Sequence, residues 1–162
     1  MSRRTFAEVQ TLTTRLGRDL GLSWAGPAGA FTDGDLAEQS RQDLTRQVRD
    51  LNTVAGVDQA VQFLVNRLMT RKGELAPLGH PDYGSRHHEL IGEPNTERTR
   101  NVIKIHVLEA LRHEPRVAKV LRCVVDAGSR PRETVRIVID VRLIDEPTPL
   151  NLVVPFELGQ VS

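Results

Sequence analysis

The chain has 162 residues, of which 39% are hydrophobic and 27% charged, and its formal net charge is +1. This is the balance of one globular domain with a sizeable core, which excludes general disorder and a chain-wide affinity for nucleic acid. A single cysteine excludes an internal disulfide or a cysteine zinc cluster, and no apolar run reaches the ~18 residues of a membrane helix, so membrane insertion is not expected.

Met1 to Phe6 is basic but leads into no apolar stretch, so no secretory signal is expected. Thr5 and Glu8 have capping-box spacing, and Phe6, Val9, Leu12 and Leu16 recur at helical intervals, which predicts a short helix over 5–16. Gly21 to Ala30 holds three glycines and a proline and reads as a loop, followed by an acidic stretch through Asp33, Asp35 and Glu38. Residues 1–40 are therefore read as an N-terminal extension or arm that orders on assembly. Leu44, Val48 and Leu51 predict a short exposed strand over 43–51, broken by Gly56.

The strongest helical pattern follows. Val57, Ala60, Val61, Leu64, Val65, Leu68 and Met69 line one face of a helix over 57–70, with Asp58 and Arg71/Lys72 at the ends that suit its dipole and Gly73 as a stop. Gly73 to Ser85, rich in Gly and Pro, reads as a long ordered loop. Ser85 is placed to cap a short helix through Leu90 and Ile91. Asn95 or Thr96 caps a longer one through His113, with Val102, Ile103, Val107, Ala110 and Leu111 on its buried side. Pro115 stops it. Strands are predicted over 117–125, over 133–144 with Val135, Ile137, Ile139, Val141 and Leu143 on one face, and over 150–158, where Pro155 points to an edge or a bulge. The outcome is an α+β fold: a single small domain over 41–162, about three helices packed on a C-terminal antiparallel sheet, carrying the 1–40 extension. No internal repeat is evident.

Charge is uneven. Ten Lys/Arg face four Asp/Glu between Arg98 and Arg136, which suits docking to an acidic partner protein. Aromatic residues do not interleave with these cations, so nucleic acid is not an expected partner. His80, Asp82, His87 and His88 are the candidate metal donors, but adjacent histidines on a helix cannot face one point, and no metal or cofactor is expected. Glu74 or Glu93 with Glu114 would be the carboxylate pair of a glycosidase, in a chain poor in the aromatic faces that bind sugars. Ser85 lacks a nucleophile elbow, and Cys123 sits in an apolar strand where thiols are inert. At Glu114-Pro115-Arg116 a proline fixes the exit from a helix between two charges, giving a rigid corner from which an arginine fork can dock.

Several pieces in order resemble a known family. Leu64-Val65-Asn66-Arg67-Leu68-Met69-Thr70-Arg71-Lys72-Gly73-Glu74 is similar to its helix ending in Thr-Arg-x-Gly-Glu. Pro81-Asp82-Tyr83-Gly84-Ser85 is similar to its Pro-x-Tyr/Phe-Gly loop, and Glu93-Pro94-Asn95 to the opening of its next helix. Glu114-Pro115-Arg116 resembles its Glu-Pro-Arg signature, and Asn151-Leu152-Val153-Val154-Pro155-Phe156 its closing strand. The family is that of the small baseplate wedge proteins of contractile phage tails, including the baseplate assembly protein W group and type VI secretion relatives. The resemblance, over roughly 57–158, implies a non-enzymatic structural subunit. Such a subunit is made in the bacterial cytoplasm and assembled into the baseplate of a tail or injection particle. Its implied partners are other wedge proteins, the sheath protein and tube or hub proteins, and its implied role includes starting the sheath by strand pairing. Glu114, Pro115 and Arg116 match the family's assembly motif. Some relatives carry a lysozyme label, so a peptidoglycan-cleaving hydrolase is the alternative.

Overall fold

The computed structural model of the chain describes residues 16–25, 33–42, 47–128 and 133–159. From Arg18 to Ala55 the chain passes through six short strands: β1 (Arg18–Leu20), β2 (Leu22–Ala25), β3 (Asp33–Leu36), β4 (Glu38–Gln42), β5 (Gln47–Leu51) and β6 (Thr53–Ala55). They pair as three antiparallel ribbons, β1 with β6, β2 with β3 and β4 with β5. One residue alone carries the chain from each ribbon to the next: Gly21, Ala37 and Asn52. These three close a ring of main-chain hydrogen bonds. Gly21 donates to the Asn52 carbonyl, Ala37 to Gly21 and Asn52 to Ala37, each over 2.8 Å. A Cβ at position 21 would stand 3.2 Å from Asn52 Nδ2, a tight contact to which the Asn52 side chain would have to yield.

The three approaches to this ring are alike. The Oδ1 atoms of Asp19, Asp35 and Asp50 accept the N–H groups of Leu20, Leu36 and Leu51 at 2.8, 2.7 and 2.8 Å. An Asp-Leu pair thus recurs at 19, 35 and 50, which corrects the expectation of a chain without repetition. The loop expected from Gly21 is also corrected in part, since β2 occupies Leu22–Ala25 and pairs with β3. The expected division at 40/41 falls inside β4. Of the helix expected over 5–16, only Leu16 lies among the described residues, and it is fully buried. The strand expected over 43–51 is β5; residues 43–46 lie outside the described set.

Gly56, at φ 63 and ψ −127, turns the chain into α1 (Val57–Met69) through a conformation that side chains with a Cβ rarely adopt. Ala60, Leu64, Val65 and Leu68 are buried, as their spacing requires. The helix ends at Met69, where Thr70 Oγ1 donates to the Asn66 carbonyl, so Gly73 serves the following turn rather than the helix stop. The loop after it contains a 3-10 turn at Ala76–Leu78 and a single bridge between Arg71 and Ser85. Instead of a third α-helix there is a five-residue 3-10 segment, Arg86–Leu90. Its Ser85 makes no side-chain cap.

The second helix, α2 (Glu97–Arg112), is capped by Thr96, whose Oγ1 accepts the Thr99 N–H at 3.2 Å. It buries Ile103, Val107, Ala110 and Leu111. β7 (Val117–Ala127), β8 (Thr134–Leu143) and β9 (Leu150–Glu157) form an antiparallel sheet with β8 in the centre. Val135, Ile137, Ile139, Val141 and Leu143 turn one face of β8 inward, joined by Cys123 from β7 and by Leu152, Val154 and Phe156 from β9. This face and the two helices enclose the core. The fold class is α+β, with two α-helices among the described residues rather than the three expected.

Candidate interaction site

The Glu114-Pro115-Arg116 corner is fixed at both ends. Glu114 N–H donates to the Leu111 carbonyl at 3.2 Å, Val117 N–H to the Glu114 carbonyl at 3.1 Å, and Ile144 N–H to the Arg116 carbonyl at 2.9 Å. The helix end, the start of β7 and the end of β8 therefore move together.

Glu114 does not point into solvent. Its carboxylate is buried, with Oε2 at 3.3 Å from both Nε and Nη2 of Arg67 on α1. Its Oε1 accepts the Arg116 N–H at 3.1 Å and lies 3.8 Å from Arg116 Nη1. One carboxylate thus serves two guanidinium groups, and the cluster keeps a positive charge. Arg116 lies over the Phe63 ring at 4.1 Å and Arg67 over Tyr83 at 4.5 Å, while Phe63 and Tyr83 meet edge to face at 5.8 Å. Such stacking holds a guanidinium plane without consuming its donors. Burial pushes the Tyr83 hydroxyl above its ordinary value, against the pull of Arg67. Pro115 is exposed and the Arg116 side chain is 26% exposed, although its Nη1 atom is buried without a hydrogen-bond acceptor among the described residues. Beside the cluster lies a shallow depression of about 300 Å³ between Arg67, His80, Asp82, Tyr83 and His113.

Arg67, Phe63 and Tyr83 were not singled out by sequence reasoning as site residues. A signal existed: Arg67 lies three residues after Leu64 on the buried face of α1, and a cation there requires a buried anion.

The other candidates are not brought together. His80 and Asp82 are exposed in the loop. His87 is fully buried and stacks on the half-buried His88 at 4.3 Å, both against the edge of Phe156. Among the described residues no group of three His, Cys, Asp or Glu could hold a metal. Ser85 Oγ lies 2.8 Å from His87 Nδ1, a serine–histidine contact, but both residues are buried and out of a substrate's reach. Glu74 is exposed and accepts the Arg71 N–H, Glu93 is exposed, and Glu114 is locked in its ion pair. Burial pushes the Cys123 thiol up, away from the reactive thiolate.

The sequence profile of the family described as baseplate wedge protein gp25 matches residues 38–148. The chain belongs to this family. The matched span contains α1, the Pro81–Ser85 loop and the Glu114–Arg116 corner, and ends before β9. As a gp25-type wedge protein, the chain is a structural protein of the phage-tail baseplate. A crystal structure of a candidate tail lysozyme from Geobacter sulfurreducens shares its fold, with a TM-score of 0.57 and 24% identity over 67% of this chain and 97% of that one. No curated protein matches the chain. No helix among the described residues is long and apolar enough to cross a membrane.

Proposed function

We propose that this wedge protein joins neighbouring wedge subunits around the tail tube through the Glu114-Pro115-Arg116 corner, and that it starts sheath assembly by strand pairing, without catalysis. The observation that carries this reading is the positively charged corner. Glu114 holds Arg67 and Arg116, leaving Arg116 pinned in place with the exposed quarter of its side chain open to a partner's carboxylate or main-chain carbonyls. The sheet favours strand addition at β7. Pairing with β8 is interrupted by register shifts before Arg122 but regular from Arg122 to Ala127, whereas Pro155 in the other edge strand, β9, has no N–H to offer.

The test is co-purification of the tagged chain with the tail proteins encoded beside it, using Arg116→Ala, because removing Glu114 would strand Arg67. A stoichiometric complex that Arg116→Ala abolishes, with the variant's thermal midpoint close to wild type, is the expected result. Capture of no partner by the wild-type chain, or clearing of peptidoglycan that Glu114→Gln abolishes, would overturn it.

A further inference from the structure

The ring formed by Gly21, Ala37 and Asn52 has threefold character. Leu20, Leu36 and Leu51 each stand one residue before a ring member, and they are 40%, 44% and 40% exposed. Three leucines are thus held in the open by nearly identical local structure.

Between the ribbons lie three bays. In the first, Gln62 of α1 closes the gap: its Oε1 accepts the Leu22 N–H at 2.7 Å and its Nε2 donates to the Leu20 carbonyl at 2.8 Å. The equivalent groups in the second bay are the Leu36 carbonyl and the Glu38 N–H. A residue in an antiparallel ladder turns its N–H and C=O to the same side. Since the Leu36 N–H points outward to Asp35, its carbonyl does too. Leu51, opposite Glu38, likewise turns its N–H outward to Asp50, so Glu38 and Leu51 form a pair whose polar groups face away from each other. Among the described residues no side chain does at this bay what Gln62 does at the first. In the third, Gln39 Nε2 reaches the Leu51 carbonyl only at 3.5 Å.

We infer that this outer surface of the ribbon junction is a docking site for an extended, basic, aliphatic segment of another baseplate protein. Its main-chain amide and carbonyl, or a carboxamide, would fill the Leu36/Glu38 bay as Gln62 fills the first, while its apolar side chains cover the leucines. The basic character follows from charge. The described side chains of the ribbons carry four carboxylates, Asp19, Asp35, Glu38 and Asp50, against two guanidinium groups, Arg18 and Arg49, one of them already paired with Glu38 at 3.5 Å. The inference rests on the wedge reading and adds a second contact, remote in sequence from Arg116.

The experiment uses the full chain co-expressed with its neighbouring tail proteins. Two variants are compared with wild type, Leu36→Ser and Leu20→Ser/Leu36→Ser/Leu51→Ser, and hydrogen exchange is followed in the free chain and in the purified complex. The expected result is slower exchange of the Glu38 amide in the wild-type complex and loss of one partner protein from the complex of the triple variant. If the triple variant fails to fold, the Glu38 amide and Leu36→Ser decide the matter. A complex that forms with wild type, survives the leucine changes intact and leaves Glu38 exchange unaltered overturns this surface alone. No complex with wild type overturns the wedge reading and the surface together.

Discussion

The two halves of the molecule are held by different forces. The helices and the C-terminal sheet are built on apolar burial: every inward residue of β8 is at most 1% exposed, and the core draws on α1, α2 and all three strands. The ribbon lobe leaves Leu20, Leu36 and Leu51 exposed and closes largely on three main-chain hydrogen bonds, three aspartate caps and one glutamine. A hydrogen bond contributes only about 0.5–1.5 kcal/mol net, so the lobe opens at lower cost than the core.

The most damaging change should fall where the two kinds of interaction meet. Glu114→Ala leaves the buried Arg67 without its anion, and loss of one partner of a buried pair costs about 3–5 kcal/mol. Urea unfolding of the variant should show this as a lowered midpoint. A loss below about 1 kcal/mol would mean that solvent reaches Arg67 and that the pair is not what joins α1 to the corner.

The next effect is one of pH. Burial, with like charge from His88 and His106, lowers His87 from 6.5 to about 3. In the unfolded chain the imidazole takes up its proton near 6.5, so acid favours unfolding and stability falls as the pH drops from 6.5 towards 3. The slope from this group is about 1.4 kcal/mol per pH unit inside that window. Thermal midpoints measured between pH 7 and 5 should fall for wild type and fall less for His87→Asn. Equal slopes would remove His87 as the cause.

The smallest global effect is expected in the lobe. Gln62→Ala removes two hydrogen bonds, about 1–3 kcal/mol in sum. Exchange of the Leu22 amide should accelerate while the β8 amides keep their protection. Equal acceleration in both would show that lobe and core open as one unit.

The same contrast explains what the sequence disclosed. Val135 to Leu143 alternate and α1 keeps a helical stripe because each buries one continuous face, and burial of that kind is written in the order of residue types. Strands of three to five residues give no alternation to read, and the lobe's order lies in the main chain. Its one textual trace is Asp-Leu at 19, 35 and 50, too brief to stand out and blurred by a fourth Asp-Leu at 43. Arg86–Leu90 resembles a helix by composition, yet Ser85 turns its hydroxyl to His87 instead of capping it. The corner was legible because a proline ends a helix there. Its partner Arg67 was not, since 47 residues separate it from Glu114 and only the folded chain brings them together.

Cys123, the chain's one thiol, faces inward on β7 and is held away from its thiolate form by burial. A cysteine introduced at an exposed position, Leu36 for one, would therefore be alone in reacting with a maleimide at neutral pH. A dye or spin label could then be placed on the ribbon lobe of the otherwise native chain. Baseplate assembly could be followed as a change in the label's emission or mobility, without first removing the natural cysteine.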